Sequence, residues 1–222
     1  MNGAKRAELV QEPERTESID IDRPLLIPTI EPVAPRHYAV SKRAADLVVS
    51  SILLVLSSPL LFLIALLIRR DSPGPALFVQ KRAGRNGELF DMYKFRSMYA
   101  DAPRYDCSPT TSFDPRITRI GRFLRRASLD ELPQLINVLL GNMSMVGPRP
   151  EMPFLVQRYN SRHRRRLQVI PGITGLWQLS TDRAFPIHEN IQHDVYYIRN
   201  HSFFMDMSIL IRTLFLAMGR GI

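Results

Sequence analysis

An uninterrupted apolar segment constrains this chain more than any other feature. The 22 residues from Leu47 to Ile68 carry no charged side chain. As a straight helix they would measure roughly 33 Å, which is enough to cross the hydrocarbon core of a bilayer. The segment begins too deep in the chain for a cleavable signal peptide and lacks a small-residue cleavage pattern. It therefore predicts a helix that enters a membrane.

The middle of this segment contains a proline. Pro59 removes one backbone donor and its ring clashes with the carbonyl of Val55, so we expect the helix to break or bend at Ser58-Pro59. The hydroxyl groups of Ser57 and Ser58 can satisfy the freed backbone groups inside lipid. The sequence thus predicts two helical halves joined at this point.

Both flanks of the segment are basic, with Lys42 and Arg43 before it and Arg69 and Arg70 after it. Basic flanks favour the cytoplasmic side of a membrane, so a segment that is basic at both ends is poorly suited to crossing. We favour a re-entrant helix over residues 47–68 that enters and leaves on the same face. A buried core helix of a soluble protein and an ordinary single crossing are the alternatives.

The charge of the chain is uneven. Thirty Lys and Arg against 21 Asp and Glu give a net charge of +9. Residues 1–40 contribute −2 and five prolines, so residues 41–222 carry +11. The first segment predicts a disordered acidic tail, and the second a membrane-anchored domain. A basic domain indicates an anionic partner, which we expect to be membrane lipid or a phosphorylated substrate rather than nucleic acid, since no recognition module is visible.

The pattern after the apolar segment predicts an α+β fold that is mainly α. Leu77 to Gln80 and Leu89 to Tyr93 form a predicted β-hairpin around Asn86-Gly87. Helices are predicted over residues 117–127, 131–140, 151–169 and 203–218. The last of these is apolar on most sides and is expected to lie in the membrane interface. Two arginine runs, 116–126 and 162–166, are either solvated faces or contacts to lipid headgroups.

Asp130 and Glu131 stand side by side after the first arginine run, in the stretch SLDELPQL. Ser128 and Glu131 match a helix capping box, which is one explanation of the pair. The other is catalysis, because arginines beside the two carboxyl groups should lower the pKa of both. An ionised aspartate can attack phosphorus and can bind Mg²⁺, while arginines bind phosphate oxygens. The pair amid arginines therefore indicates Mg²⁺-assisted phosphoryl transfer.

Eight motifs in order give this chain a resemblance to a known family. They are KR..D (Lys42, Arg43 and Asp46), the Ser58-Pro59 break, YKFRSM (93–98), DPRIT (114–118), SLDELPQL (128–135), GNMSMVGPRPE (141–151), PGITG (171–175) and HDVYYIRNHSF (193–203). From about residue 40 to 220 the chain resembles the bacterial sugar transferases, which are monotopic polyprenyl-phosphate phosphoglycosyl transferases. We expect the small form of this family, consisting of the catalytic core.

The resemblance implies a reaction at the cytoplasmic face of the bacterial inner membrane. A UDP-sugar would donate its phospho-sugar to Asp130 and release UMP, and polyprenyl phosphate, usually undecaprenyl phosphate, would then accept the phospho-sugar. Mg²⁺ would bind at Asp130 and Glu131. The product starts the assembly of exopolysaccharide, O-antigen, capsule or another glycoconjugate. Which sugar and which pathway this chain serves, and whether it forms a homo-oligomer, the sequence leaves open.

The resemblance also implies roles for residues around the acid pair. Lys94, Arg96 and Arg125 would contact the phosphates, and the segment Pro148-Arg149-Pro150 would contact the uridine nucleotide, with Arg149 also on the phosphates. One stretch departs from the family, because Asp182 stands where an arginine is common and Arg183 follows one residue late. Either Arg183 replaces that arginine or other residues bind the phosphates. Asp194, Tyr196 and Tyr197 are expected to pack and hydrogen-bond rather than catalyse.

A function of another class would also fit the charge and the apolar segment. A membrane-anchored basic protein that binds anionic lipid or nucleic acid, without chemistry, explains the +11 charge. It leaves Asp130 and Glu131 as helix-capping residues only. The order of the motifs favours the enzyme.

Overall fold

A computed structural model describes residues 35–105, 109, 111, 113–184 and 190–219 of the chain. The elements in chain order are the helix α1 (Arg36–Asp71), strands β1 (Leu77–Ala83) and β2 (Leu89–Phe95), helices α2 (Arg119–Arg126) and α3 (Gln134–Leu140), strand β3 (Ser144–Val146), helices α4 (Pro153–Gln157) and α5 (Ser161–Arg164), strand β4 (Gly172–Thr174), and helices α6 (Leu176–Leu179), α7 (Gln192–Asn200) and α8 (Phe203–Gly219). Short 3-10 turns at 85–87, 129–131, 165–168 and 181–184 lie between them. The fold is mainly helical with a small antiparallel hairpin, as predicted. Most of the predicted tail, residues 1–34, lies outside the described residues.

The helix α1 contains the apolar segment and runs without interruption through Pro59. Ser58 Oγ donates to the carbonyl of Val55 at 2.8 Å, which is the carbonyl that loses its backbone donor to Pro59. Ser57 Oγ donates to the carbonyl of Leu53 at 2.6 Å. The serines thus do what the sequence predicts, and the proline lies inside one helix instead of between two. By length and composition, α1 is the one described helix that could cross a membrane.

Both ends of α1 pack on the same folded body. Near its start, Asp46 accepts hydrogen bonds from the Ser144 hydroxyl and the Met145 N–H at 3.0 and 2.9 Å. Near its end, Ile64 and Ile68 are buried in an apolar cluster with residues of β2 and α2. Between these ends one face of α1 still packs on the body, through Leu54 and Leu61, while the other face exposes large side chains such as Leu56 and Phe62. The middle of α1 therefore presents a long apolar face that the described residues leave uncovered.

The predicted β-hairpin is confirmed. β1 and β2 are antiparallel with Ala83 opposite Leu89 at the closed end. Asn86 and Gly87 have φ angles of 56° and 78°, and this left-handed backbone is why the Asn-Gly dipeptide predicts a turn here. A second, parallel pair of strands, β3 and β4, was not predicted.

The main apolar core lies between the hairpin, α3, β3 and the last two helices. Its buried members are Phe90, Met92, Leu135, Val138, Met143, Met145, Val146, Tyr197, Ile198 and Ile209. The C-terminal helix α8 confirms the prediction of a helix over 203–218, and it exposes a row of apolar residues that includes Phe204, Leu214 and Phe215.

The predicted helix over 151–169 is wrong as a single element. The chain there forms α4, then α5, then the 3-10 turn 165–168. Asn160 causes the interruption, because its side chain accepts from the N–H groups of Arg162 and His163 at 3.0 Å and caps a new helix. The helix predicted to start at Glu131 starts at Gln134, and it ends at Gly141 with a φ angle of 87° as the Gly-Asn pair predicts.

Candidate active site

Asp130 and Glu131 lie in the 3-10 turn between α2 and α3. Ser128 has a φ angle of 56° and turns the chain after α2. Its side chain makes no capping hydrogen bond, and Glu131 is bound elsewhere, so the capping-box explanation is wrong. With capping removed, the two acids need another explanation.

Two cations hold Glu131. Lys94 Nζ donates to Glu131 Oε1 at 2.9 Å. Arg149 donates to the two carboxylate oxygens at 2.5 and 3.3 Å. Burial raises the pKa of the Glu131 carboxyl, but the charges of Arg149 and Lys94 and their hydrogen bonds outweigh it and hold the pKa well below its usual range. The predicted lowering of this pKa is confirmed, and Glu131 is ionised.

Asp130 differs from its neighbour. Its side chain is 8% exposed, and among the described residues no group donates a hydrogen bond to its carboxylate. Burial raises the pKa of the Asp130 carboxyl, Lys94 opposes this, and the negative charge of Glu131 adds to it. The prediction of a lowered pKa is therefore wrong for Asp130, because the arginines and Lys94 do not compensate for burial. A buried carboxylate without a partner is characteristic of functional sites.

Asn137 places Lys94 beside the acids. It is 0% exposed in α3, its side-chain oxygen accepts from the Tyr93 N–H at 2.9 Å, and its nitrogen donates to the Asp91 carbonyl at 2.6 Å. These two hydrogen bonds fix α3 to β2, and Lys94 follows Tyr93 in that strand. The sequence analysis missed Asn137, although an amide between the apolar residues of LINVLL is a signal of a buried polar contact.

Arg149 lies in the loop between β3 and α4, and several backbone hydrogen bonds hold this loop. The carbonyl of Pro148 accepts from the Gly172 N–H at 2.9 Å, and the carbonyl of Arg149 accepts from Arg166 Nη2 at 2.9 Å. Gly172 is required here, because a Cβ atom would lie 2.0 Å from the Gly147 nitrogen. Pro148 and Pro150 flank the arginine, and their contact to a nucleotide stays a prediction.

The helix α2 brings Arg125 near the acids. Thr118 caps this helix by accepting from the Gly121 N–H at 2.9 Å. Gly121 packs against the residues that follow β2, and a Cβ atom at Gly121 would be 1.9 Å from the Ser97 carbonyl oxygen. The positive charge of Arg125 lowers the pKa of Asp130, after the larger influences of burial, Lys94 and Glu131. Of the predicted phosphate-binding residues, Lys94 and Arg149 thus contact Glu131, and Arg125 acts on Asp130 through its charge.

Arg96 and Arg183 are placed differently. The buried guanidinium of Arg96 donates to the carbonyls of Ser72 and Pro73, each at 2.6 Å, and to the Ser72 hydroxyl at 2.9 Å. These contacts tie β2 to the end of α1 and favour a structural role. Arg183 is exposed in the turn 181–184, where the neighbouring Asp182 lies 2.8 Å from His193 Nε2. Their roles in phosphate binding stay predictions.

The KR..D motif joins α1 to three elements. Lys42 donates to Asp206 of α8 at 2.8 Å and to the Val146 carbonyl at 2.9 Å. Arg43 donates to the carbonyls of Val138 and Leu139 at 2.6 and 2.8 Å. These carbonyls end α3, where a cation is favoured by the helix dipole. The motif therefore fixes the first part of α1 to the body that carries the acids.

The described residues contain no group of three or more His, Cys, Asp or Glu side chains that could hold a metal. Mg²⁺ does not require one, because in phosphate-transfer sites it takes one or two carboxylates together with waters and substrate phosphates. The unpartnered oxygens of Asp130, next to the ionised Glu131, fit this ligand set.

Comparison with known proteins identifies the family. The chain matches the family described as "Bacterial sugar transferase" over residues 37–220. It is 44% identical to the undecaprenyl-phosphate glucose phosphotransferase of Komagataeibacter xylinus over 191 residues, which are 79% of this chain and 35% of the relative. It is 44% identical to the exopolysaccharide production protein PSS of Rhizobium leguminosarum bv. phaseoli over 198 residues, which are 82% of this chain and 97% of the relative.

A third relative is the UDP-glucose:undecaprenyl-phosphate glucose-1-phosphate transferase of Escherichia coli strain K12. The identity is 42% over 186 residues, which are 78% of this chain and 39% of the relative. The chain thus spans nearly the full length of one of these proteins and little more than a third of the other two. The match covers the described body, α1 included. The chain belongs to the bacterial sugar transferase family.

Proposed function

We propose that this protein transfers a phospho-sugar from a UDP-sugar to a polyprenyl phosphate, such as undecaprenyl phosphate, at a membrane surface. The observation that carries the proposal is Asp130, a buried carboxylate without a partner among the described residues, whose pKa is raised by burial and lowered by the charges of Lys94, Arg125 and Arg149. Family membership supports the same reaction, because similar proteins are named for undecaprenyl phosphate and UDP-glucose. The non-enzymatic alternative gives no reason for Asp130.

In the first step, an Asp130 carboxylate oxygen attacks the phosphorus atom that carries the sugar. An Asp–O–P bond forms, the bond from that phosphorus to the bridging oxygen breaks, and UMP leaves with the electron pair. Since phosphoryl transfer develops negative charge on the phosphate oxygens, the nearby cations stabilise the transition state. Lys94, Arg125 and Arg149 are the residues suited to this role.

In the second step, a phosphate oxygen of the polyprenyl phosphate attacks the same phosphorus. The new P–O–P bond gives a polyprenyl-diphosphate-sugar, and the Asp130 carboxylate is released unchanged. The covalent intermediate divides one transfer between two bulky phosphates into two transfers at a single carboxylate. The product is the type of lipid-linked sugar from which polysaccharide assembly starts.

Glu131 holds Lys94 and Arg149 in place before substrate binds. Asp130 and Glu131 are also the residues that would hold Mg²⁺. When bound, Mg²⁺ supplies positive charge that neutralises the diphosphate oxygens and the leaving UMP. This charge is needed because the ion pairs with Glu131 partly neutralise the two protein cations.

We also propose that α1 is re-entrant and that, since both of its flanks are basic, both ends lie at the cytoplasmic face of the inner membrane. Asp46 and Ile68, near the two ends of α1, both pack on the body that carries Asp130, while the residues around Pro59 are exposed. A straight crossing would put these ends on opposite sides. Arg36→Cys and Pro75→Cys, each in a Cys107→Ser background, should be labelled by a membrane-impermeant thiol reagent only from the cytoplasmic side. Labelling of the two positions from opposite sides would restore the single crossing.

The reaction is tested by measuring UMP release from UDP-sugars in the presence of undecaprenyl phosphate and Mg²⁺. The similar proteins are named for glucose, N-acetylgalactosamine and galactose, so the panel includes those three UDP-sugars. Mass spectrometry should find a phospho-sugar on Asp130 when the lipid acceptor is omitted. Wild-type protein that releases no UMP from any donor, or that never forms this adduct, would overturn the proposal.

A further inference from the structure

One arginine of the second basic run is buried. Arg166 is 4% exposed, whereas the sequence predicts a solvated or headgroup-facing run over 162–166. Its Nε donates to Asp194 Oδ2 at 2.6 Å, its Nη1 donates to the Tyr159 hydroxyl, and its Nη2 donates to the Arg149 carbonyl at 2.9 Å. The three nitrogen groups of the guanidinium are thus all bound.

This guanidinium connects three separate parts of the chain. Arg166 lies in the 3-10 turn after α5, Asp194 in the first turn of α7, and Arg149 in the loop after β3. Asp194 is 2% exposed, so neither charge of this ion pair reaches water. Glu151, two residues after Arg149, lies 3.7 Å from Arg166 Nη1 and adds a second negative charge to the same cluster.

Stability alone does not explain such an arrangement. A buried ion pair loses the hydration of both charges, and well-packed apolar residues of similar size often stabilise a protein as well. What an arginine adds is a planar fork of donors with fixed directions. Here one branch of the fork meets the main chain of Arg149, and the guanidinium of Arg149 in turn meets Glu131.

We infer that Arg166 and Asp194 are a positioning pair for the active site. Asp194 orients Arg166, Arg166 fixes the main chain of Arg149, and Arg149 holds the Glu131 carboxylate beside Asp130. The inference rests on the proposed function and assigns no contact between the pair and the substrate. Precise placement of Arg149 matters because a displacement of about 1 Å in a catalytic group can reduce a rate about 100-fold.

Arg166→Lys is the informative variant. A lysine keeps the positive charge for Asp194 but lacks the fork, so it cannot bind Asp194, Tyr159 and the Arg149 carbonyl together. We expect kcat/KM for the UDP-sugar to fall at least tenfold, with most of the loss in kcat if the transition state is what Arg149 contacts. The wild-type protein in membranes or detergent is the reference.

A double-mutant cycle separates positioning from a general structural effect. If Arg166 acts through Arg149, its substitution should change kcat/KM less than about twofold once Arg149→Gln has removed the guanidinium that it positions. Lys42→Met supplies the control, because Lys42 also forms a partly buried ion pair, with Asp206, and donates to a main-chain carbonyl, but does not contact Arg149. Lys42→Met should reduce kcat/KM by the same factor with and without Arg149→Gln.

Thermal unfolding of each variant shows whether it is folded. Should Arg166→Lys have no unfolding transition, Tyr159→Phe takes its place in the cycle, because it removes one contact of Arg166 and strands no charge. Equal losses in both backgrounds, or no loss in the wild-type background, would overturn the positioning pair while leaving the reaction in place. Wild-type protein that is inactive with every UDP-sugar overturns the proposed function, and the inference with it.

Discussion

Two buried aspartates of this protein have nearly the same exposure and opposite surroundings. Asp206 in α8 is 7% exposed and Asp130 is 8% exposed. Asp206 accepts hydrogen bonds from the Tyr38 hydroxyl at 2.7 Å, from Lys42 at 2.8 Å and from the Tyr197 hydroxyl at 2.7 Å. Asp130 accepts none among the described residues. The first is a saturated carboxylate that joins helices, and the second is available for chemistry.

A lysine lies near each of these aspartates, so charge type alone does not make the difference. Lys42 binds Asp206 directly. Lys94 binds Glu131 instead and reaches Asp130 only through its field. The second acid of the Asp-Glu pair therefore takes up the cations that would otherwise saturate the first. This explains why two like charges stand side by side after an arginine-rich helix.

The largest expected effects are a loss of activity when Asp130 is changed and a loss of stability when Asp206 is changed. Asp130→Asn should abolish UMP release, because an amide is not a nucleophile towards phosphorus. It should not lower the thermal stability, since the buried carboxylate has no partner to lose. Asp206→Asn should lower the free energy of unfolding by about 1–3 kcal/mol, because it leaves the half-buried Lys42 without its counter-charge. Activity assays and thermal unfolding of both variants test this.

Asp101→Asn is the control for both variants, since Asp101 is exposed and is not one of the residues around Asp130 or Asp206. We expect it to leave activity and stability unchanged. Residual activity in Asp130→Asn near the wild-type rate would contradict the nucleophile assignment. An Asp206→Asn variant as stable as wild type would show that the hydrogen bonds of Asp206 do not hold α1 to the rest of the protein.

Removal of Mg²⁺ should stop the reaction at Asp130 and leave the structural role of Asp206 unchanged. Chelation of Mg²⁺ should abolish UMP release, and added Mg²⁺ should restore it, because the diphosphate charge is not neutralised by Lys94 and Arg149 alone. Mg²⁺ with UDP-sugar should raise the unfolding temperature of wild type by linkage, and less so for Asp130→Asn. Asp206→Asn should keep this increase, measured from its own lower unfolding temperature. Full turnover in excess chelator would exclude the metal.

A smaller effect is expected from Asn137, which holds Lys94 near the acids. Asn137→Leu leaves the Tyr93 N–H and the Asp91 carbonyl without their partner where α3 meets β2, and each such group costs up to about 1–3 kcal/mol where it is shielded from water. Stability and kcat/KM should both fall. Gln134→Leu is the matched control in the same helix, because Gln134 is buried and its amide nitrogen has no partner among the described residues. We expect no loss of stability there, and equal losses in both variants would remove Asn137 from its positioning role.

Local patterns predicted much of this fold. The Asn86-Gly87 turn, the end of α3 at Gly141 and the helix over 203–218 follow from backbone preferences and periodicity over a few residues. The interruption by Asn160 was missed, although its capping role is local, because the apolar and basic periodicity continues across it. The parallel pairing of β3 with β4 was also missed, since three-residue strands carry little pattern.

The candidate site, like the fold, was predicted only in part. The resemblance identified Asp130, Glu131, Lys94 and Arg149, which the fold brings together. It could not distinguish Lys94, bound to Glu131, from Arg96 two residues later, bound at the end of α1. Nor could it find Asn137 or pair Arg166 with Asp194, because these contacts join residues 44 and 28 positions apart. Long-range polar contacts are fixed by packing and leave no local pattern.

The smallest expected effect concerns the arginine whose field reaches Asp130. Burial raises the pKa of Asp130, Lys94 lowers it, Glu131 raises it, and Arg125 lowers it further. A cation favours the ionised carboxylate, so Arg125→Gln should raise this pKa. The nucleophile is the ionised form, and the acidic limb of kcat/KM should therefore move to higher pH.

Arg126→Gln is the control for this shift, because Arg126 neighbours Arg125 in the last turn of α2 but is exposed and is not among the largest influences on the pKa of Asp130. Its acidic limb should coincide with that of wild type. A limb that moves to lower pH in Arg125→Gln, or moves equally in both variants, would mean that the ionisation seen in the rate is not that of Asp130. Thermal unfolding of each variant over the same pH range shows whether the fold is kept, which separates a change at Asp130 from a general loss of structure.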